Sequence, residues 1–274
     1  MLRLRIDDFS LPAIAESGQC FRMLPAADED GAYDVLSGSR YLRIRDHQDG
    51  SFSVSCSREE WESYYVRYFD LEADYGIYRA CCMPEDSFLR RCIAYGSGIR
   101  VLNQDRFEML ISFLISQRKS VPAIRTIIRK LSALAGEEIV NEYGRFYAFP
   151  APEALAALSM EEVRTTGAGY RCGYILQAAE SVRNGELDLT AMEILPDAEL
   201  LQRLMEVRGA GIKVASCAAL FGFHRIAVCP QDVWMNRILQ EVYHGSWPEA
   251  YAPVLGILQQ YMFHYARLNK DKIY

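Results

Sequence analysis

Lys213 stands where a cation is hard to explain as a structural residue. It follows a Gly-Ala-Gly turn in RGAGIKVASCAALFGF and opens a helical stretch that carries no other charge. Burying an ammonium group is costly, and the partial positive charge of a helix N-terminus repels it further. Both effects favour the neutral amine, which is the nucleophilic form. The sequence therefore predicts that Lys213 attacks an electrophile.

A second reactive group, Asp232, follows in VCPQDVWMNRIL. A helical run begins directly after it, so Asp232 takes a natural N-cap position, and a cap of this kind is worth about 1 kcal/mol. A chemical role is also open to it, as a carboxylate that the helix dipole keeps ionised beside Lys213. The two interpretations are compatible.

A helix-hairpin-helix is predicted at about residues 198–222, and it positions the lysine. The first helix is DAELLQRLMEV, the turn is RGAG, and the second helix begins with IKVAS. Gly209 and Gly211 permit a tight turn, and the amides at the start of the second helix face outward, where a phosphate can dock. Taken alone, the pattern fits a plain turn between helices equally well.

The chain around this motif divides into a strand-rich front and a helical remainder. Hydrophobic and polar residues alternate between Tyr33 and Cys56, and Ser-Gly and Asp-Gly pairs mark the turns. After Glu59 the period becomes helical, and DRFEMLISFLISQ is apolar nearly all round, as in a central buried helix. We therefore predict an α+β fold, with an N-terminal antiparallel β-sheet subdomain (1–90) followed by a mostly α-helical body (91–274).

Composition restricts the class of protein. The 274 residues are 50% hydrophobic and carry a formal charge of −6, which argues against a generally basic nucleic-acid binder. The eight cysteines form no Cys-x-x-Cys pair, and the four histidines show no ligand spacing, so no metal or other cofactor is predicted. No signal peptide or membrane span is recognised, and a cytoplasmic, nucleoid-associated protein of a prokaryote is expected.

Five separated motifs occur along the chain in the order SGQCFRM, GIRVLNQDRFEMLISFLISQ, GAGYRCGYI, GAGIKVASC with CPQDV, and LQQYMFHYAR. Together they resemble the helix-hairpin-helix DNA glycosylases that carry a Gly/Pro-rich loop and an aspartate (HhH-GPD), specifically the 8-oxoguanine DNA glycosylases. The resemblance spans essentially the whole chain, and the lysine and aspartate are its most specific pair.

This resemblance implies a bifunctional DNA glycosylase and AP lyase that acts as a monomer on damaged double-stranded DNA. Lys213 is then the nucleophile that adds to C1′ of a flipped nucleotide and leaves a Schiff base, which permits strand cleavage by β-elimination. Asp232 stabilises the cationic sugar. Both roles agree with the chemistry inferred from the residues themselves.

The resemblance also implies a base pocket. The carbonyl of Gly18 accepts a hydrogen bond from N7–H, a group that oxidised guanine has and normal guanine lacks. Cys217 and Phe263 stack on opposite faces of the base, and Gln259 bonds its Watson–Crick edge. Taken alone, each of these residues is explained equally well as an ordinary core or partly exposed side chain.

Further residues are implied in DNA binding by the same resemblance. Tyr170 matches the wedge that fills the gap left by the flipped base, and Arg171 matches its neighbour at the orphaned base. Without the resemblance, Tyr170 is explained as an aromatic that packs into the core. Gly209 and Gly211 belong to the hairpin that meets the DNA backbone.

The chain departs from the better-known eukaryotic members after LISFLIS. Those proteins have asparagines and an arginine that read the opposite cytosine, whereas this chain has Gln117, Arg118, Lys119 and later Ala123. We therefore predict weaker selectivity for the opposite base, and we include Arg118 among the DNA-binding residues. Two further departures are Trp234 in place of a frequent histidine and the lack of a cysteine after Cys229 that would complete an iron–sulfur cluster. A nearby basic run either contacts phosphates or forms a solvated face. It consists of Arg118, Lys119, Arg125, Arg129 and Lys130.

Two other functions compete with this one. The first is a glycosylase for alkylated or other damaged bases, although a monofunctional version needs only the aspartate and leaves Lys213 unexplained. The second is a non-catalytic helix-hairpin-helix DNA-binding protein, for which a substitution of Lys213 leaves all activity intact.

Overall fold

Five strands near the N-terminus form one antiparallel sheet in the order β1-β5-β4-β3-β2. The structure, a computed structural model, describes residues 1–269, so residues 270–274 of the predicted body lie outside the described part. The alternation noted between Tyr33 and Cys56 corresponds to β3, β4 and β5. The strands of this sheet are β1 (Leu2–Arg5), β2 (Met23–Pro25), β3 (Ala32–Ser37), β4 (Arg40–Asp46) and β5 (Ser51–Val54).

Helices make up most of the remaining chain, as predicted, and the α+β fold class is confirmed. The helices are α1 (Leu11–Glu16), α2 (Arg58–Glu60), α3 (Val66–Tyr68), α4 (Tyr75–Ala80), α5 (Ser87–Tyr95), α6 (Arg106–Ser116), α7 (Val121–Ala135), α8 (Pro152–Ala156), α9 (Met160–Thr165), α10 (Cys172–Arg183), α11 (Asp197–Met205), α12 (Ile212–Gly222), α13 (Val233–Glu241) and α14 (Leu255–Leu268). A π-helical turn (Trp61–Tyr65) joins α2 to α3, and short 3₁₀ helices lie at Gly169–Arg171, Ala191–Ile194 and Glu249–Val254.

Helices α6 and α12 form the centre of the helical body and pack against each other. Every residue of α6 after the first is buried, as its apolar sequence predicts, and α12 is buried from Val214 onward. Gly222 permits their close approach, because a Cβ atom there would lie 3.2 Å from the Cα of Arg106. The helix that carries Lys213 therefore has a fixed position against α6.

The chain packs around two hydrophobic cores. One lies between the sheet and α1, and the larger one surrounds α6 and α12. Leu71 contacts the first core, whereas Tyr75 is buried in the second. The boundary predicted at residue 90 falls inside α5, which packs in the larger core through Phe88 and Leu89. Periodicity does not reveal this division because the segments on both sides of it are helical.

A short β-hairpin within the helical body was not predicted. It consists of β6 (Glu138–Asn141) and β7 (Gly144–Tyr147), which form a separate two-stranded sheet. Its Phe146 packs on Tyr41 of the first sheet, with 4.4 Å between ring centroids. Four-residue strands give too short a pattern for alternation to be recognised.

Candidate active site

The turn between α11 and α12 has the geometry that its glycines suggested. Gly209 has φ +86°, and a Cβ atom on it would overlap the Tyr174 ring. Gly211 is the N-cap of α12 and supplies no side-chain acceptor, so the first amides of the helix remain available to an anion. The predicted helix-hairpin-helix is therefore present, with its second helix starting at Ile212.

Lys213 projects from the first turn of α12 toward α6. Its Nζ lies 3.4 Å from Oγ of Ser116 and 5.4 Å from the centroid of the Phe113 ring. The hydroxyl contact is longer than a typical hydrogen bond, so it holds the amine only weakly. The lysine is half-buried, and neither the hydroxyl nor the ring holds it tightly, which suits an amine that must be released for reaction.

Sequence reasoning missed Phe113 and Ser116 as neighbours of the lysine. A signal for Ser116 was present, because Ser112 and Ser116 are the two hydroxyl side chains of a buried helix whose other buried residues, apart from Glu108, are apolar. A polar group in such a helix requires a partner, and one turn separates these two positions. Only the packing of α6 on α12 shows which of them meets Lys213.

Cys217 lies one turn after Lys213 on the same helix face and is 3% exposed. Burial raises the pKa of the Cys217 thiol to about 11, although the nearby charge of Lys213 lowers it. The thiol is therefore neutral near pH 7 and forms a compact, polarizable wall, with no nucleophilic character of its own.

Asp232 is the N-cap of α13, as the sequence predicted. Its carboxylate accepts a hydrogen bond of 2.8 Å from the amide of Met235. Burial raises the pKa of Asp232, while the bond from Met235 and the charge of Lys213 lower it. The helix terminus therefore does not alone determine ionisation at this position, since desolvation is the largest effect on the pKa of the carboxyl.

Asp232 and the residues of α12 occupy one electrostatic neighbourhood. Asp232 acts on the pKa of Cys217 and of Cys229, and Lys213 acts on the pKa of both Asp232 and Cys217. Lys213 and Asp232 therefore lie close enough for the charge of the lysine to affect the pKa of the carboxyl.

Gly18 and Phe263 form a second contact region of the predicted pocket. Gly18 has φ +80°, and a Cβ atom there would lie 2.8 Å from Cε1 of Phe263 on α14. Gln259 lies one turn before Phe263 and is 3% exposed, and its Oε1 accepts a 2.8 Å hydrogen bond from Gln260. The structure thus brings Gly18 to Phe263, with Gln259 on the same helix face, and brings Cys217 to Lys213.

Tyr170 and Arg171 lie in the 3₁₀ helix before α10, and their side chains differ in exposure. Tyr170 is 58% exposed, so it does not pack into the core, and Arg171 lies 4.3 Å from its ring centroid. Arg171 is 3% exposed, and its guanidinium donates to the carbonyls of Ala168 and Gln117. As folded, Arg171 braces the loop before Arg118, and its contact with an orphaned base stays a prediction.

The loop that follows α6 presents the residues that depart from the eukaryotic pattern. Arg118 has φ +51° and is exposed, and Lys119 lies 3.5 Å from the carbonyl of Gly167 through Nζ. Together with the bond from Arg171 to Gln117, this contact joins the loop to the Tyr170 segment. In the neighbouring basic run, Arg129 and Lys130 are exposed, whereas Arg125 turns inward.

Substitution of Tyr170 tests its role as the wedge. We expect Tyr170→Ala to change the free energy of unfolding by less than about 0.5 kcal/mol, because the side chain is exposed. The excision rate should fall by roughly tenfold, since stacking of a base on an aromatic ring is worth about 1–3 kcal/mol. Urea unfolding and single-turnover excision measure the two effects. Tyr170→Phe keeps the ring and should keep the rate, and an unchanged rate in Tyr170→Ala would exclude the wedge.

The sequence predicts neither a metal site nor a membrane span. Among residues 1–269, no cluster of histidine, cysteine and acidic side chains is arranged to hold a metal ion. Within the same residues, no helix is both long enough and apolar enough to cross a bilayer.

Two family matches cover nearly the whole chain. Residues 1–110 match the N-terminal domain of 8-oxoguanine DNA glycosylase, and residues 111–259 match the HhH-GPD superfamily of base excision DNA repair proteins. The chain therefore belongs to the HhH-GPD superfamily, in the branch that carries the N-terminal domain of 8-oxoguanine DNA glycosylases.

Individual relatives agree with this assignment over their full length. A probable N-glycosylase/DNA lyase of Methanothermobacter thermautotrophicus is 26% identical, and the match covers 97% of this chain and 96% of the relative. The structure of MBOgg1 in complex with a low-affinity DNA ligand is 32% identical, with a TM-score of 0.91 over 98% of this chain and 96% of that one. The 8-oxoguanine glycosylase/lyase of Clostridium acetobutylicum, bound to DNA with cytosine opposite 8-oxoguanine, is 28% identical, with a TM-score of 0.88 over 98% and 99% of the two chains.

Proposed function

We propose that this protein is a bifunctional DNA glycosylase and AP lyase that excises 8-oxoguanine from double-stranded DNA. The observation that carries the proposal is that Lys213, in the first turn of α12, and Asp232, the N-cap of α13, lie close enough for the charge of the lysine to lower the pKa of the carboxyl. The family matches and the named activities of the relatives support the same reaction. A non-catalytic DNA-binding protein has no use for an amine and a carboxylate in this arrangement.

The reaction begins with Lys213 as the neutral amine. Its nitrogen bonds to C1′ of the flipped nucleotide while the glycosidic bond breaks, and the base leaves with that electron pair and gains a proton. The C1′–O4′ bond then breaks as the nitrogen forms a double bond to C1′, and O4′ takes up one of the protons that the nitrogen loses, which opens the sugar ring and gives a Schiff base. Loss of a C2′ proton from this species expels the 3′ phosphate and cleaves the strand. Asp232 stabilises the positive charge that develops on the sugar as the glycosidic bond breaks.

Recognition of the base depends on one proton. The Gly18 carbonyl accepts N7–H of 8-oxoguanine, whereas in normal guanine the N7 lone pair faces the same oxygen without a donor. An unpaired carbonyl that is withdrawn from water is costly, so the pocket disfavours the undamaged base. Phe263 and the neutral thiol of Cys217 enclose the ring, and the Gln259 amide bonds its Watson–Crick edge.

The proposed function is tested with three otherwise identical duplexes, which contain 8-oxoguanine, an alkylated purine or guanine at one site. We expect base release and strand cleavage only with 8-oxoguanine, and borohydride should trap a covalent adduct with that duplex. Release of the alkylated purine without an adduct would favour the other glycosylase. Binding without release from any duplex would favour the non-catalytic protein.

The altered loop predicts weak selectivity for the base opposite the lesion. A bidentate contact to a base discriminates by about 1–3 kcal/mol, and the loop after α6 lacks the asparagines and the arginine that supply such contacts to cytosine in the eukaryotic members. We expect single-turnover excision rates opposite the four bases to differ by less than roughly tenfold, which is the discrimination that one such contact would supply. Efficient excision only opposite cytosine, with a steep loss opposite adenine, would contradict the prediction.

The proposal includes a monomer that acts on DNA in the cytoplasm, nucleoid-associated in a prokaryote. One copy of the chain carries all the residues assigned to the amine, the carboxylate, the base pocket and the wedge. Light scattering at the concentration used for excision should therefore give a mass near 31.2 kDa, and the mass of a dimer would contradict the proposed monomer.

A further inference from the structure

Helix α1 ends just before Gly18, and side chains of two distant helices satisfy its last carbonyls. Arg125 of α7 donates to the carbonyl of Ala15 at 2.8 Å, and Arg267 of α14 donates to the carbonyl of Glu16. The last carbonyls of a helix have no partners within the helix, and cations are favoured at that end. The position of the α1 terminus therefore depends on this arginine pair (Arg125 and Arg267).

The carboxylate of Glu16 contributes less than the carbonyls. It lies 3.5 Å from both arginines, but its side chain is 47% exposed, and exposed ion pairs are weak. The side chains of Arg125 and Arg267 are only 20% and 19% exposed. Their hydrogen bonds to the backbone are therefore better shielded from water and more important for position.

The segment is also fixed on the other side of Gly18. The fully buried Gln19 donates from Nε2 to Oγ of Ser17 and to the carbonyl of Arg100, both at 2.8 Å. Its Oε1 accepts a 2.7 Å bond from the amide of Leu102. Gly18 is held between two anchored neighbours, so a shift of the α1 terminus changes the direction of its carbonyl.

We propose that Arg125 and Arg267 are positioning residues that set the Gly18 carbonyl against the damaged base. The inference rests on the proposed function. Arg267 lies one turn after Phe263 on α14, so the helix that supplies one wall of the pocket also holds the segment that supplies the carbonyl. Neither arginine is among the residues assigned to the base pocket, and both are directed at the end of α1.

Arg125 belongs to the basic run for which phosphate contacts are one interpretation. Its guanidinium is directed at the end of α1, and most of its side chain is withdrawn from solvent. Its contacts therefore favour the positioning role over direct contact with DNA.

The test compares two activities of the same variant. Excision of 8-oxoguanine requires the Gly18 carbonyl, whereas cleavage at a preformed abasic site has no base to recognise. In Arg267→Met and Arg125→Met we expect the ratio of the excision rate to the abasic cleavage rate to fall by roughly tenfold or more, because a displacement of about 1 Å can cost a hundredfold. A general loss of folded protein lowers both rates and leaves the ratio unchanged.

Arg225→Met is the matched control. The Arg225 side chain is 24% exposed, donates to the carbonyls of Glu193 and Leu195, and lies 3.5 Å from the Asp197 carboxylate. Arg225→Met therefore removes a similar set of contacts, and none of them involves the segment around Gly18. We expect lower stability with an unchanged ratio.

The outcomes distinguish a failure of the positioning role from a failure of the proposed function. Arginine-pair variants that keep the control's ratio would overturn the positioning role, and a wild-type protein that fails to excise 8-oxoguanine would overturn the proposed function itself. If a methionine variant does not fold, Arg267→Lys and Arg125→Lys decide the matter. A lysine retains the charge but not the guanidinium geometry. A ratio of excision to abasic cleavage below that of wild type therefore supports the role, and a wild-type ratio excludes it.

Discussion

Lys213→Gln is expected to abolish the borohydride-trapped adduct with 8-oxoguanine DNA and to lower base excision by roughly a thousandfold or more, as loss of a covalent nucleophile does in other enzymes. The amine is the only group of this side chain that can form a Schiff base. Glutamine retains much of the packing against Phe113 and still offers Ser116 a polar partner. The fold should therefore persist while the chemistry is lost.

Lys130→Gln is the control for the loss of one positive charge. Lys130 is exposed on α7, so its substitution should leave adduct formation intact. An adduct that persists in Lys213→Gln would show that another amine reacts. Excision that persists without an adduct would show that water displaces the base, and the protein would then be a monofunctional glycosylase.

The parts of the site that could be predicted depend on local signals. Gly209 marks a turn because its positive φ and the nearby Tyr174 ring leave no room for a Cβ atom, and Asp232 marks a helix start because its carboxylate caps the amide of Met235. The central helix α6 was equally clear, since its apolar residues cover every face. Each signal lies within a few residues of the feature that it predicts.

The parts that could not be predicted depend on contacts between distant segments. Ser116 meets Lys213 only because α6 packs on α12, and Arg267 meets Glu16 across almost the whole chain. The strands β1 and β2 lie at the two edges of the sheet, and each is too short to show a clear period. The roles implied for Gly18 and Phe263 came from the resemblance, and their mutual contact came only from the structure.

Asp232→Asn is expected to lower the excision rate by roughly 10²–10³-fold, the usual cost of losing one preorganised group that stabilises transition-state charge. The variant separates the two roles of the residue. Asparagine is as good an N-cap as aspartate, so the bond to the amide of Met235 can be retained. Asp232→Ala removes the cap as well and should lose about 1 kcal/mol of stability in addition.

The pH dependence of stability gives an independent test of the same carboxyl. Burial raises the pKa of Asp232 in the folded chain, so the folded state binds this proton more tightly than the unfolded state does. The free energy of unfolding therefore falls as the pH rises from the unfolded pKa, about 3.9 for an aspartate, through the raised folded pKa. Above this window, Asp232→Asn should be at least as stable as wild type toward urea, whereas Asp232→Ala should not.

Activity should follow the opposite trend, because the proposed mechanism uses the ionised carboxylate. Excision by the wild type should fall on the acid side at a pH above the ordinary aspartate range, since burial raises the pKa of Asp232. Single-turnover rates across this range measure that acid limb, and Asp232→Asn should lack the contribution of residue 232 to it. Full activity in Asp232→Asn would reduce Asp232 to a helix cap, whereas a stable and inactive variant would mean that the protein keeps a destabilising buried charge because the reaction requires it.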